Sequence, residues 1–206
     1  MEKIFIPIFT IVTIISLSPK LKAQTIPYIG LGFNSFTISM EPKSTSVGVA
    51  TVYRTEPTAD KGTEIGLVGG VILNDNAKIN FNFFSGETNS IPKILATEVL
   101  AVTYDYGFNN QGIRRGWLIG AGLASTKIDI MDNDIIKTTS VSNMGLAVKG
   151  GYEYQINDNL LFDIVINVYL IDKDVDFVYK GQYLGTTGVW TATSVVSSEL
   201  ALSYLF

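Results

Sequence analysis

Hydrophobic and polar positions alternate along most of the chain after residue 24. The last segment shows this most clearly, because one of its faces carries Leu200, Leu202, Tyr204 and Phe206. Successive side chains of a β-strand point to opposite faces, so a period of two predicts a strand with one apolar and one polar face. No segment sustains the 3.6-residue period of an amphipathic helix. The pattern therefore predicts an all-β fold.

Eight segments show this alternation, and several of them have the roughly 9 to 11 residues or more that a tilted membrane-spanning strand requires. They are residues 28–39, 63–73, 78–85, 95–108, 117–130, 140–154, 160–171 and 191–206. Strands of this kind close into an antiparallel up-and-down transmembrane β-barrel, for which an even number of strands is usual. The sequence predicts eight strands, and ten strands is the alternative.

The connections support the smaller number. Asn-Asp-Asn occurs at residues 74–76 and 157–159, where it predicts tight turns at one rim. Four longer segments are expected to be loops at the other rim: residues 56–61, 86–93, 131–138 and 172–190. Residues 47–54 also alternate, and we interpret them as an extension of the first hairpin. A strand at residues 176–184 would instead give ten.

The N-terminus has the features of a cleaved signal peptide. Lys3 precedes an apolar run of 14 residues, residues 4–17, and Ala23 is a small residue suited to cleavage. A helix of that length rises only about 21 Å, which is too short to cross a bilayer. We therefore expect residues 1–23 to be a signal peptide and residues 24–206 to be the barrel. Cleavage removes three lysines and one glutamate and leaves a net charge of −6, which disfavours nucleic acid as a partner.

The composition limits the chemistry that the chain can perform. It contains no cysteine and no histidine. These absences argue against disulfides, thiolate metal sites and most pairs of a nucleophile with a base. We expect no catalytic residues, no metal ligands and no cofactor.

Alternation sorts the strand residues into two faces. The predicted lipid-facing set is Ile65, Leu67, Val71, Leu73, Ile79, Phe81, Phe83, Leu146, Val148, Tyr152, Tyr154, Phe162, Ile164, Ile166 and Val168. The predicted inward set is Glu64, Asn80, Asn82, Asp105, Lys149, Glu153, Asp163, Asn167 and Glu199, together with Gly120, Gly122 and Gly151. An eight-stranded barrel is narrow enough for its own side chains to fill the lumen.

The inward acids suggest two interpretations. If residues 157–159 form a hairpin turn, Glu153 and Asp163 face each other, and paired carboxylates can act as acid and base. The alternative is a structural polar network in which Lys149 compensates Glu153, Asp163 and Glu199. We favour the network, which comprises Glu64, Asp105, Lys149, Glu153, Asp163, Asn167 and Glu199.

The opening segment at residues 28–32, residues 117–122, residues 150–160 and the terminal Phe206 together resemble small outer-membrane β-barrels of the OmpA and OmpX type. The resemblance covers nearly all of the mature chain and implies the outer membrane of a Gram-negative cell. Unlike OmpA itself, the chain is expected to lack a peptidoglycan-binding domain. Leu200, Leu202, Tyr204 and Phe206 resemble the terminal signal that the barrel-assembly machinery recognises.

Three functions remain open at this level. The first is a structural or surface-interaction barrel that meets an extracellular ligand or partner through its outer loops. The second is a narrow conduit for small or hydrophobic molecules, which requires a gap or an apolar pocket inside the barrel. The third, a lipid-modifying enzyme, is disfavoured because the chain has no histidine. We expect a monomer surrounded by outer-membrane lipid.

Overall fold

The computed structural model describes residues 25–47, 50–52, 58–74, 76–89, 95–108, 115–130, 136–137, 139–179 and 187–206. The predicted signal peptide lies outside these residues, so cleavage after Ala23 stays a prediction. Within the described residues, no helix has the length and apolar character needed to cross a membrane.

Eight long strands form one closed antiparallel sheet. They are β1 (Ile26–Val47), β3 (Thr58–Asn74), β4 (Ala77–Thr88), β5 (Leu95–Gly107), β6 (Arg115–Ile130), β8 (Thr139–Asn157), β9 (Leu160–Tyr179) and β10 (Thr187–Leu205). Each strand pairs with the next along this series, and β10 pairs with β1 to close the barrel. Two short strands add to it: β2 (Ala50–Val52) pairs with β1, and β7 (Ile136–Lys137) pairs with β9. The prediction of an eight-stranded barrel is confirmed.

The strands run further than the alternation predicted at the rim opposite the termini. Residues 172–190 were expected to be a loop, but β9 continues to Tyr179 and β10 begins at Thr187. The prediction failed there because Asp172, Lys173 and Asp174 are three consecutive exposed polar residues, which interrupt the alternation. Asp172 has a φ of 51°, and the ladder between β9 and β10 shifts register opposite this point. The bulge interrupts the alternation of apolar and polar residues although β9 continues beyond it, so the sequence pattern did not predict the rest of the strand.

The other three predicted loops lie partly in strands or partly outside the described residues. Residues 58–61, 86–88 and 136–137 belong to strands. The interpretation of residues 47–54 as part of the first hairpin agrees with the pairing of β2 with β1. At the rim opposite the termini, the strands continue beyond the part of the barrel whose outer face is apolar. We refer to these strand ends as the extension.

The rim that carries the termini has the two predicted tight turns. The backbone N–H of Asn76 donates to Asn74 Oδ1 at 2.9 Å, and the N–H of Asn159 donates to Asn157 Oδ1 at 2.9 Å. Side-chain acceptors of this kind stabilise a reversal two residues later. The asparagine pattern therefore determines where these two hairpins turn.

The outer face of the barrel is apolar around its terminal half. Leu31, Ile65, Ile119 and Ile166 are 56–68% exposed, as expected for residues that face lipid. Val71 is an exception to the predicted outward set, because it is only 5% exposed. Its register partners on the neighbouring strands are Pro27 and Ile79, whose side chains flank the smaller Val71 side chain near the terminal rim.

The interior contains two apolar clusters, and along β10 polar residues lie between them. From the terminal rim along β10, the inward residues are Leu205 and Ala201, then Ser197 and Glu199 in the middle, then Val195 and Ala192. The cluster nearer the terminal rim comprises Tyr28, Val68, Ile72, Phe84, Leu161, Ala201 and Leu205. The larger cluster at the other end includes Phe36, Ile38, Leu95, Val99, Ile128, Ile130, Ile171 and Val175.

Candidate functional site: the lumen and a seam in the wall

All seven residues of the predicted polar network point into the lumen. They are 5% exposed or less, and they are Glu64, Asp105, Lys149, Glu153, Asp163, Asn167 and Glu199. They come from β3, β5, β8, β9 and β10, because each strand contributes every second residue to the interior. The network therefore crosses the lumen from one wall to the other.

The cation beside Glu153 and Asp163 is Lys78. Its Nζ lies 2.5 Å from Glu153 Oε2 and 3.0 Å from Asp163 Oδ2, and its side chain is 1% exposed. Glu153 and Asp163 face each other across β8 and β9, as predicted. Lys149 was expected to compensate Glu153, Asp163 and Glu199, but its direct ion pair is with Asp105, whose Oδ2 lies 2.5 Å from Lys149 Nζ.

Lys78 could have been found from the sequence. It has the same parity as Asn80 and Asn82, which alternation places inside. A position just after a turn, such as that of Lys78 after residues 74–76, is typical of a rim residue in contact with water. The narrow barrel instead encloses it near the Tyr28 ring, whose centroid lies 5.6 Å from Lys78 Nζ.

Gly120 makes room for the second ion pair. On β6 it stands in register between Asp105 of β5 and Lys149 of β8. A Cβ at this position would collide with Asp105 Oδ1 and lie 3.0 Å from Lys149 Cγ. The missing side chain therefore allows the two charged groups to meet across an intervening strand.

Two buried carboxylates are held by neutral donors. Thr97 Oγ1 donates to Glu64 Oε1 at 2.5 Å, and Asn34 Nδ2 lies 3.4 Å from Glu64 Oε2. Asn167 and Asn82 donate their amides to Glu199 Oε2 at 2.8 and 3.2 Å. These contacts fix the orientation of both carboxylates without neutralising their charge.

Most of the charged side chains of the lumen are in contact with one another. Lys78 shares its ammonium group between Glu153 and Asp163, so neither carboxylate of the facing pair is an isolated acid or base. In the part of the chain that the structure describes, no three residues among His, Cys, Asp and Glu are placed to share a metal ion. The inner side chains of both apolar clusters are nearly inaccessible to water. The cluster nearer the terminal rim lies beside the ion pair of Lys78, and the larger cluster lies further along the barrel.

The barrel wall has a seam between β8 and β9. Among the described residues, their ladder ends at Ala147 and Tyr169. Beyond this point residues 139–146 pair only with β6, and residues 170–178 pair with β10. We call these two unpaired strand edges the seam. Its far end is closed where β7 pairs with Val178 and Tyr179.

The part of the seam nearer the terminal rim is tightly closed. The side-chain amide of Asn143 donates to the backbone carbonyl of Ile171, and Gly145 packs against the carbonyl of Leu170. Further from the terminal rim, Val141 is half-buried and contacts the larger apolar cluster, to which Ile171 and Val175 belong. The seam therefore brings apolar inner residues close to the outer surface.

Aromatic residues surround the barrel near the terminal rim. Edge-to-face pairs form between Tyr106 and Phe108, Trp117 and Tyr152, and Tyr204 and Phe206. Arg115 lies over the Tyr154 ring at 5.0 Å. Aromatic girdles of this kind lie at the level where lipid headgroups meet the acyl chains. The residues of the predicted assembly signal, Leu200, Leu202, Tyr204 and Phe206, are 48–70% exposed on this outer face.

Comparison with known proteins agrees with this architecture. OprG from Pseudomonas aeruginosa is similar in structure, with a TM-score of 0.68 and 17% identity over 89% of this chain and 96% of that chain. Neisserial surface protein A has a TM-score of 0.58 and 13% identity over 87% of this chain and 97% of that one. At such identities the likeness shows the fold alone. No curated protein sequence matches the chain.

The sequence itself matches the family described as "Outer membrane protein beta-barrel domain" over residues 8–196. The match covers most of the chain, and the resemblance to small outer-membrane barrels is confirmed. Lipid surrounds the apolar outer face, as it does in barrels of this kind. The chain is a member of the outer-membrane β-barrel domain family and resides in the outer membrane of a Gram-negative bacterium.

Proposed function

We propose that this protein is a sealed, non-catalytic barrel that anchors the extension outside the cell, where it meets an extracellular ligand or partner. One observation carries the proposal. The ion pairs of Lys78 and Lys149 lie across the lumen beside one close-packed apolar cluster, and the larger apolar cluster lies beyond them towards the opposite rim. A barrel filled in this way has no axial route for solutes, and its remaining accessible feature is the extension.

The lengths of the strands support this role. β1, β9 and β10 contain 22, 20 and 19 residues, about twice the number that a membrane strand requires. On β6 the outward residues change from Trp117, Ile119 and Leu123 to Ser125, Lys127 and Asp129 towards the rim opposite the termini. Polar outer residues indicate that the strands continue into water on that side. Short turns at the other rim are typical of the periplasmic side.

Cysteine labelling on intact cells tests this orientation. The natural chain has no cysteine, so a single introduced thiol gives a clean signal. We expect Ser142→Cys, in the extension, to react with a membrane-impermeant maleimide. We expect Asp158→Cys, in the turn at the terminal rim, to react only after the outer membrane is permeabilised. The reverse pattern would place the extension in the periplasm and rule out the proposed role.

The seam favours a second candidate function, a conduit that leads small hydrophobic molecules from the outer mouth sideways into the membrane. Its support is the half-buried Val141 between unpaired strand edges, next to Ile171 and Val175. A sideways route does not require the ion pairs to open. The charged residues Asp172, Lys173 and Asp174 on the β9 edge also disfavour the addition of a strand from another chain.

A crosslink across the seam distinguishes the two candidates. We suggest the pair Asn143→Cys and Asp172→Cys, closed by a short bifunctional thiol reagent, with the single variants as controls. A conduit predicts that vesicles containing the protein take up an apolar fluorescent probe faster than empty vesicles, and that the crosslink abolishes the difference. A sealed anchor predicts no difference before or after crosslinking.

A third element of the proposal concerns assembly. We infer that Leu200, Leu202, Tyr204 and Phe206 direct the barrel-assembly machinery to this chain, and that the folded protein is a monomer. The support is the exposed apolar outer face of β10, which ends on Phe206 at 70% exposure. Deletion of Phe206 tests this inference.

A further inference from the structure

The register of the strands gives the height of each outward residue along the barrel axis. A row of register partners that starts at Pro27 and passes once around the eight long strands returns to β1 at Thr37, ten positions further from the terminal rim. With about 4.8 Å between strands and about 3.3 Å per residue, this offset corresponds to strands tilted by about 40°. Each step from strand to strand therefore climbs about 3 Å, and each residue along a strand spans about 2.5 Å of height.

The apolar part of the outer face is taller at the seam than elsewhere. On β8 it continues to Met144, which is 70% exposed, and on β9 it continues to Leu170, which is 47% exposed. The two strands stop pairing at Ala147 and Tyr169, so Leu146 and Leu170 are the next residues on either side of the seam. Met144, Leu146 and Leu170 therefore form one surface on the outside of the seam, which we call the seam patch.

The other six long strands are polar at the height of Met144. Within about 3 Å of that height, their outward residues include Thr37, Thr63, Glu87, Glu98, Ser125 and Ser194. Carboxylates and hydroxyl groups are costly in hydrocarbon, which indicates that the acyl chains end lower on those strands. The seam patch therefore rises into a level that is otherwise polar.

The backbone behind the seam patch is covered. The side-chain amide of Asn143 donates to the carbonyl of Ile171, and the carbonyl of Leu170 lies against Gly145. Open strand edges do not occur in contact with hydrocarbon, because their polar groups lack partners there. These two contacts hold the edges together behind Met144 and Leu170, so the seam patch presents side chains to the outside rather than a free strand edge.

The surroundings and size of the seam patch favour one kind of occupant. The patch continues into the lipid-facing belt through Val148 on β8 and Val168 on β9, and Ser125 and Ser194 border it on the neighbouring strands. It is only two strands wide, or about 10 Å. Its three side chains expose far less area than the roughly 800 Å² that each partner buries in a stable protein interface. A single acyl chain fits these dimensions.

We propose that Met144, Leu146 and Leu170 bind one acyl chain of a lipid in the leaflet that surrounds the extension. This chain rises above the level of the other acyl chains and covers the end of the seam nearer the terminal rim. The contact is independent of the extracellular partner of the extension and of transport through the seam. Its consequence is that hydrocarbon rather than water meets the barrel where the ladder between β8 and β9 ends.

Nitroxide labels on single cysteines measure this contact, because the natural chain has no cysteine. The protein is refolded into phosphatidylcholine vesicles with a label at Met144→Cys, at Leu67→Cys in the lipid-facing belt, or at Thr63→Cys. Thr63 is the matched position, since it lies four strand steps away on the opposite wall and within about 3 Å of the same height.

We expect the label at position 144 to collide more often with dissolved oxygen than with a water-soluble nickel chelate, as the label at position 67 does. The label at position 63 should show the reverse preference. A label at position 144 that behaves like the one at position 63 would overturn the proposal. An oxygen preference at position 63 would overturn it as well, because the acyl region would then be equally thick on all sides and the seam patch would not be a distinct site.

A second experiment tests whether the seam patch itself holds the chain. The label stays at Met144→Cys, and either Leu170→Ser or the control Leu31→Ser is added, which removes an equally apolar outward side chain from the belt on β1. We expect Leu170→Ser to lower the ratio of oxygen to nickel collisions several-fold and Leu31→Ser to leave it unchanged. An unchanged ratio with Leu170→Ser would refute the site. Dipolar broadening between labels at position 144 that disappears on dilution with unlabelled protein would identify a second copy as the occupant and would also refute it.

Discussion

Lys78 illustrates how a single inward residue affects the energetics of a small barrel. Two carboxylates on facing strands rely on its ammonium group, at 2.5 and 3.0 Å, in a lumen where the side chains are almost fully enclosed. Removing one member of a buried ion pair leaves an uncompensated charge, which is far more costly than the loss of an exposed pair. Lys127, which lies 2.5 Å from Asp129 at the surface, provides the comparison.

We predict that Lys78→Met destabilises the barrel by about 3 to 5 kcal/mol, whereas Lys127→Met changes stability by about 1 kcal/mol or less. Denaturant titrations in micelles measure both. The Lys78→Met deficit arises from ionised Glu153 and Asp163, and protonation removes that charge. The gap from the wild type should therefore narrow as the pH falls through the carboxylate range. A gap that is constant with pH would show that Lys78 does not compensate these acids.

Gly120 permits a second test at the scale of one methyl group. We predict that Gly120→Ala lowers the melting temperature in micelles, because its Cβ would collide with Asp105 Oδ1 and push Asp105 away from Lys149. Gly150→Ala is the matched control on the neighbouring strand, since the nearest atom to its Cβ would be the Leu118 carbonyl oxygen at 3.9 Å. Equal effects of the two substitutions would contradict the role assigned to Gly120.

At the scale of the strand, alternation determines which substitutions the membrane tolerates. Ile166 stands near the middle of the outward residues of β9 and is 56% exposed. We predict that Ile166→Arg destabilises the barrel by about 2 to 4 kcal/mol, because it places a charge at the level of the acyl chains. Thr63→Arg, outward but nearer the polar end of β3, should cost about 1 kcal/mol or less. Refolding titrations into lipid vesicles compare the two variants. The opposite ranking would mean that the lipid-facing apolar belt has been assigned to the wrong part of the strands.

The last strand provides a prediction about assembly. We expect deletion of Phe206 to reduce the amount of protein in the outer membrane more than it reduces the refolding yield in micelles. The reason is that Phe206 contacts Tyr204 on the outer face and has few inner contacts to lose. Immunoblots of membrane fractions and gel-shift refolding assays provide the two quantities. If both fall by the same factor, Phe206 matters for folding and not for recognition.

The sequence predicted the elements well where one rule governed them. Alternation identified the eight strands and the inward polar residues, and the two asparagine turns fixed their hairpins. It failed at residues 172–174, because a bulge breaks the period of two without ending the strand. The partners of Lys78 and Lys149 could not be predicted, because they depend on the register of the strands around the barrel. This register brings Lys78 into contact with Glu153 and Asp163, which follow it by 75 and 85 positions in the sequence.

At the scale of the whole molecule, the interior resembles the core of a globular protein more than a pore. Two ion pairs lie beside the apolar cluster nearer the terminal rim, and the larger apolar cluster lies beyond them. Residues such as Ile38, Val99 and Leu161 are fully buried within these clusters. The outer face is apolar around the terminal half, and the extension is polar outside. The seam, which interrupts the wall between β8 and β9, begins in the apolar belt beside the exposed Met144 and Leu146 and continues into the extension.

The sealed lumen is the central claim, and conductance across a planar lipid bilayer tests it most directly. The purified barrel is inserted at neutral pH in concentrated KCl, with an established small porin as a positive control. We predict that the wild type gives no discrete, reproducible conductance steps, because the ion-pair layer and both apolar clusters close the axis. Regular single-channel steps from the wild type would contradict this claim and show that ions pass through the lumen.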